Sequence, residues 1–290
     1  MQADISYTER DGVSLAYREI GAGQGVPLLF VHGFGCNAGH FRHQQPHFAR
    51  SHPTVAVDLR GHGQSDAPLQ DYDIGGFADD LRWLCGHLGL QRPVVIGHSM
   101  GGNIALKLAV RHPELVQGIV MIDTFIDADD AFVRALRELA QRMPAMAGPE
   151  SLYDLLSGLL FLPSDDPGIR QQILDESVWT PWHVLTSAFA GQILRNDSIA
   201  DLRRLKIPAA YIGADGLPME LARIAQINPH VMRARTLGVG HFSPLLAPDQ
   251  INAMLCAFFL RLRSAMSATA MSAAAASAPA DTTATIFAGR

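Results

Sequence analysis

Lysine is nearly missing from this chain: of its 23 basic residues only Lys107 and Lys206 are lysines, and the formal charge at pH 7 is −5. No stretch gathers the arginines into a basic stripe, which argues against nucleic acid and anionic membrane surfaces as partners. Cysteine is scarce too. Cys36, Cys85 and Cys256 are odd in number and far apart, which excludes a disulfide framework and points to reduced thiols. No apolar run approaches membrane-spanning length. Met1 to Gly25 lacks the apolar centre of a secretory signal, so the expectation is a cytoplasmic protein.

What is present is enough for a large core: 290 residues, 48% of them apolar, the size of one or two domains. The chain is organised around Val94-Val95-Ile96-Gly97-His98-Ser99-Met100-Gly101-Gly102. A short β-branched run between Pro93 and Gly97 suits a buried strand. From Met100, apolar residues recur at helical spacing: Ile104 with Leu108, Ala105 with Ala109. Between them stands the pattern G-x-S-x-G. A strand that turns sharply into a helix lifts the Ser99 hydroxyl clear of the sheet, and glycines flank it because a Cβ would collide there. The free N–H groups at the start of the helix point to where an oxyanion would form.

Strands and helices alternate around this stretch. Ile5–Arg10 and Val13–Ile20 flank Asp11-Gly12, a hairpin signal. Strands are expected at Pro27–His32, Thr54–Asp58, Pro93–Ile96 and Val116–Asp123, with helices at Gly39–Arg50, Ile74–Leu88 and Met100–His112. This is the pattern of a parallel sheet with helices on both faces. The alternation stops at residues 124–204, which read as successive helices: Asp129–Arg142, Pro149–Leu160, Asp166–Glu176 and Pro181–Arg195. It resumes with strand Pro208–Gly213, helix Met219–Ile227, strand Val231–Leu237 and helix Pro248–Leu262. Residues 1–123 and 205–263 thus form a core, and 124–204 an inserted helical cap. Residues 264–290, rich in alanine, serine and threonine, read as a low-complexity, disordered tail with a start that can be helical.

Four motifs in this order, His32-Gly33-Phe34-Gly35, Asp58-Leu59-Arg60-Gly61-His62-Gly63-Gln64-Ser65, Gly97-His98-Ser99-Met100-Gly101-Gly102 and Gly240-His241-Phe242, resemble those of the α/β-hydrolase superfamily over about residues 1–263. The resemblance implies an α/β fold with a mostly parallel eight-stranded sheet and an inserted helical cap. It also implies a nucleophile, acid and base in the order serine, acid, histidine. Ser99 needs a base, because a serine hydroxyl is un-ionised at neutral pH, and His241, in a glycine-rich loop after a strand, is the candidate. For the acid that orients it, the resemblance points to Asp215, although Gly213-Ala214-Asp215 carries one residue where family members commonly carry two. The alternative is Asp123, at the end of the strand Val116–Asp123. The oxyanion hole is expected from the amides of Met100 and Phe34.

His40, His43 and His47 would share one face of a helix over Gly39–Arg50, but no acid or thiolate joins them there, so a solvated face is expected and no metal. Arg60 is read as part of a turn with no chemical role, and His32 and His98 as structural. Phe125, Phe132, Met143, Met146, Phe161, Trp179, Trp182 and Phe189 lie in the inserted segment. Those that its own small core does not bury must face the sheet. Phe34, Trp179, Trp182 and Phe242 are the expected substrate-binding side chains. The resulting expectation is a cofactor-free serine hydrolase acting on a small to medium apolar carboxylic ester or lactone. Its partner would be a small molecule, and the chain a monomer or homodimer. A cofactor-free lyase or perhydrolase on the same triad, or a hydrolase-like ligand receptor, are the alternatives. Epoxide hydrolases and haloalkane dehalogenases are disfavoured, because family members of those classes carry aspartate at the Ser99 position.

Overall fold

A computed structural model describes residues 4–126, 131–215 and 221–276. The first half follows the expected alternation. Strands β1 (Ile5–Arg10) and β2 (Val13–Ile20) form the hairpin, with Asp11 and Gly12 both at positive φ in its turn. Then come β3 (Leu28–Val31), α1 (Gln44–Phe48), β4 (Thr54–Val57), α2 (Ile74–His87), β5 (Val94–His98), α3 (Met100–Arg111) and β6 (Gly118–Ile122). Five helices follow without an intervening strand: α4 (Ala131–Arg142), α5 (Pro149–Leu160), α6 (Pro167–Ser177), α7 (Trp182–Ile193) and α8 (Ser198–Arg204). The chain closes with β7 (Ala209–Gly213), α9 (Leu221–Ile227), β8 (Met232–Arg235), α10 (Ser243–Leu246) and α11 (Pro248–Ala276).

The eight strands form one sheet in the order β1-β2-β4-β3-β5-β6-β7-β8. The β1–β2 and β2–β4 pairs are antiparallel and the rest parallel. Strands β3, β4, β5, β6 and β7 are buried along their whole length, as expected of parallel strands covered on both faces. Their side chains alternate between two layers. Leu29, Val31, Val95, Ile119 and Met121 pack with α2 and α3, and with Tyr153, Val184 and Phe189 of the helical insertion. Leu28, Phe30, Val94, Ile96, Val120 and Ile122 pack with Ile251, Leu255 and Phe258 of α11. The insertion therefore shares a continuous apolar layer with one face of the sheet.

Two departures have local causes. The single helix expected over Gly39–Arg50 is broken into a turn of 3₁₀ helix at Ala38–Phe41 and the short α1. A continuous helix would need a backbone N–H at Pro46, which proline lacks; starting α1 at Gln44 places Pro46 in the first turn, where no N–H is required. The break separates the three histidines: His40 is buried, whereas His43 and His47 are not. Helix α11 continues to Ala276, into the stretch expected to be a disordered tail, in keeping with the high helix propensity of alanine. The rest of that tail, 277–290, lies outside the described residues. So do Asp129 and Met219, the expected starts of two helices. Short helices α8 and α10 have no counterpart among the helices named from the sequence. Among the described residues no helix is long and apolar enough to cross a membrane.

The contact of α11 with the sheet is expected to carry much of the stability. Truncating buried Phe258 to alanine should destabilise the protein by about 3–5 kcal/mol in urea denaturation. Leu260→Ala on the exposed side of the same helix should stay within about 0.5 kcal/mol of the parent.

Candidate active site

Strand β5 ends in a left-handed residue. Ser99 has φ 54° and ψ −120°, a conformation costly for any residue but glycine. Its own N–H donates to the Ile122 carbonyl of β6 at 2.8 Å, which pins the turn to the neighbouring strand. A Cβ on Gly97 would run into the Gly101 backbone, and one on Gly101 into the Val31 carbonyl of β3. Only glycine at both places lets α3 start directly behind Ser99. The Met100 amide opens that helix, and the loop after β3 passes close by: a Cβ on Gly33 would lie 3.0 Å from the Ser99 Cβ. Among the described residues neither the Met100 nor the Phe34 amide is spent on a protein acceptor.

His241 lies in the loop between β8 and α10. Its Nδ1 is 2.7 Å from Asp123 Oδ2, and Asp123, at 0% exposure, is fully buried. The other Asp123 oxygen, Oδ1, accepts the Ala214 N–H at 2.9 Å. Like Ser99, Asp123 is a left-handed non-glycine residue at a strand end, with φ 42°. His241 is also held from the insertion: its N–H donates to Leu160 O at 2.9 Å, while Asp165 accepts from Gly240 N at 3.1 Å and from Leu162 N at 2.8 Å. Asp165 was not singled out in the sequence; a lone aspartate between two helices carries no signal of reaching a loop 75 residues away.

The expectation that Asp215 orients His241 is corrected by this geometry. Asp215 Oδ2 accepts from Gly238 N at 2.7 Å, its own N–H donates to Val239 O at 3.1 Å, and Arg235 stands 3.9 Å from its carboxylate. Its side chain is 32% exposed. It tethers the loop leading to His241 and leaves the imidazole to Asp123. The strand ends are neighbours, with Ile122 paired to Ile212, so either strand could supply the carboxylate. The shortened Gly213-Ala214-Asp215 spacing was the one signal in the sequence.

Three other histidines are neutral supports. His32 donates from Nδ1 to Gly33 O at 2.8 Å and accepts from Leu59 N at Nε2, 3.0 Å away. His98 donates from Nε2 to His241 O at 2.9 Å, and His62 from Nδ1 to Arg60 O at 3.1 Å. Burial first, then neighbouring imidazoles, holds His32 and His98 well below the usual histidine range, and burial pushes His62 down to about 4. Arg60 is bound to Asp80 through two hydrogen bonds, at 2.6 and 2.9 Å.

Ser99 and His241 open into a cavity of about 90 Å³. Phe34 and Phe242 line it as expected, joined by Phe125, Phe132 and Phe189 of the insertion. The Phe34 and Phe189 rings meet edge to face at 5.4 Å, and Phe161 stacks behind Phe242 at 5.0 Å. Trp179 and Trp182 are not in the wall, which corrects their assignment. Trp179, 80% exposed, sits in the link between α6 and α7 beside a separate polar cleft. Trp182 packs at the edge of the core. Tyr153, Leu156 and Gln192 were not singled out in the sequence, yet they take part in the wall.

Residues 26–157 match the family model described as the alpha/beta hydrolase fold. Among curated proteins the chain is 28% identical over 254 residues to 2-(acetamidomethylene)succinate hydrolase of Mesorhizobium japonicum, covering 82% of this chain and 88% of that one. Uncharacterised mycobacterial relatives match at 34% identity over 127 residues, and the chain spans only 37% of their length. Among solved structures, a thermophilic esterase from Thermogutta terrifontis superposes with a TM-score of 0.77 at 25% identity, over 90% of this chain and 99% of that one. An enzyme described as degrading N-acyl homoserine lactone superposes with a TM-score of 0.76 at 27% identity, over 87% and 100%.

The buried neutral histidines make stability depend on pH in a definite direction. As the pH falls below about 6.5 the unfolded chain binds protons at these rings that the folded chain refuses, down to about 4 for His62. Their contribution is therefore complete above about pH 6.5 and is lost as the pH falls through that window. Melting temperatures measured from about pH 6.5 to about 4.5, a range in which His40, with its raised pKa, is largely protonated in both states, should decline, and His62→Asn, which keeps an N–H for the Arg60 carbonyl, should decline less steeply.

Proposed function

We propose that this chain is a member of the α/β-hydrolase superfamily, and that it is a serine hydrolase that cleaves a small, largely apolar carboxylic ester or lactone through an acyl-enzyme. The observation that carries the reading is the 2.7 Å contact of His241 Nδ1 with buried Asp123, on the same cavity as the left-handed Ser99. With Nδ1 engaged, Nε2 is the ring nitrogen left to take the Ser99 proton as the hydroxyl attacks the substrate carbonyl. Asp123 holds the ring in the tautomer that permits this and stabilises the imidazolium. The tetrahedral oxyanion accepts the amides of Met100 and Phe34. Collapse expels the alcohol with the proton held by His241, and water releases the acid by the same steps. The named activities of the two solved relatives, an esterase and a lactone-degrading enzyme, support this bond class.

Two measurements test the reading. A fluorophosphonate should label Ser99 and no other residue. Ser99→Ala and Asp123→Asn should each lower kcat for p-nitrophenyl butyrate by about 10⁴-fold, while Asp215→Asn keeps most of it. A crippling Asp215→Asn beside a benign Asp123→Asn would reverse the assignment of the acid.

Substrate size should follow the cavity. Each methylene added to the acyl group is expected to raise kcat/KM up to about fourfold, from about 0.8 kcal/mol of transfer free energy, until the cavity is full. A series from acetyl to hexanoyl p-nitrophenyl esters would show the rise and its end. A preference for charged acyl groups would sink the apolar reading.

A further inference from the structure

Helix α7 turns one face to the core, and its buried positions Leu185, Ala188, Phe189, Gln192 and Ile193 recur at helical spacing. Four of the five are apolar. Gln192 is the exception: it is only 8% exposed, and it borders the Ser99 cavity together with Phe189 and Ile193. Among the described residues its amide has no hydrogen-bond partner. An unpaired amide at this depth is costly, and leucine at the same place would be cheaper for the fold. Nor is the amide sealed away, since its polar atoms are not among the side-chain atoms shut off from all solvent contact. Tyr153, which also reaches this wall from the insertion, differs in that respect. Its hydroxyl is closed off, pressed against Gly35.

Ser99 and His241 are already committed to the reacting bond in the proposed mechanism. Gln192 then remains as a polar group on an otherwise largely apolar wall, with two N–H donors and a carbonyl acceptor to offer. Among the described residues no arginine, lysine, aspartate or glutamate lines the cavity. A substrate group that meets Gln192 must therefore be neutral, because a charged one would be buried without a counter-ion.

We infer that Gln192 is a specificity-determining residue, and that the substrate carries, besides the ester or lactone, a neutral hydrogen-bonding group such as a carbonyl, amide or hydroxyl that Gln192 binds. The inference rests on the serine-hydrolase reading and narrows its substrate class. An all-hydrocarbon acyl ester would fill the cavity but leave the Gln192 amide unpaired, and a site built to hydrogen-bond discriminates against the analogue that lacks the partner.

Two matched pairs of substrates test it, one for each side of the scissile bond. On the acyl side, p-nitrophenyl levulinate is compared with p-nitrophenyl pentanoate, which has the same chain length and lacks the ketone. On the alcohol side, 2-hydroxyethyl butyrate is compared with propyl butyrate. All rates are normalised to alkaline hydrolysis of the same ester. The wild-type protein should favour the polar member of at least one pair by about 10-fold in kcat/KM. Gln192→Leu, close in volume, should abolish that preference by lowering kcat/KM for the polar member about 10-fold more than for its hydrocarbon partner. A general loss of structure would lower both members alike, and circular dichroism of the variant checks the fold. A wild-type protein with no polar preference in either pair, or a preference that Gln192→Leu leaves unchanged, overturns the inference. Failure to hydrolyse any of the four esters would instead overturn the serine-hydrolase reading.

Discussion

The backbone at Ser99 is held in the left-handed region, and the arrangement around it exists because the surrounding structure keeps it there. A non-glycine residue at φ 54° costs on the order of 1–3 kcal/mol. The compensation comes from both sides. Strands β3 and β6, fully buried, flank β5, and the Ser99 N–H is bound to the last residue of β6. The next residue along β6 is Asp123, the second left-handed non-glycine residue, whose carboxylate is shared between the Ala214 amide and His241. Two strained residues thus lie at the ends of adjacent parallel strands, braced against each other through one backbone hydrogen bond. Relaxing either would displace the group it carries.

The helical insertion does more than cover the site. Through Leu160 and Asp165 it binds the loop that carries His241, so the imidazole is held by Asp123 and the backbone around it by the end of α5 and the turn that follows. The phenylalanines it contributes make the cavity apolar. Hydrogen bonds and charge interactions inside such a wall are stronger than they would be in water. Burial elsewhere in the structure keeps His32, His62 and His98 neutral, so that they act as fixed donors and acceptors. Gln192 in that wall is therefore conspicuous: it is an amide with no hydrogen-bond partner among the described residues, set among mostly apolar neighbours.

Much of this could be read from the sequence. The buried strands announced themselves as short β-branched runs bounded by glycine and proline, and Asp11-Gly12 marked the hairpin at its observed place. The glycines around Ser99 identified the turn, because the steric crowding that demands them is local to five residues. The cavity-lining roles of Phe34 and Phe242 followed from their places beside motif loops. Where the reading departed from the structure, the cause was local in one case and remote in others. Pro46 broke a helix that periodicity alone would have continued. Trp179 was expected in the pocket because it is large and apolar, yet the link that carries it runs over the outside.

The amino-acid sequence by itself determined the order of strands and helices, the strained turn at Ser99 and the candidates for each chemical role. These depend on interactions within a few residues: side-chain periodicity, the absent Cβ of glycine and the absent N–H of proline. Which carboxylate reaches His241 was decided only by tertiary structure. Asp123 and Asp215 both follow strands that end side by side, and each is a short acidic side chain beside the same loop. The choice falls to Asp123 because its backbone turns left-handed at the end of β6 and sends the carboxylate beneath the imidazole, while Asp215 is taken up by the amide of Gly238. A hydrogen bond between residues 118 apart has no signature in either local segment.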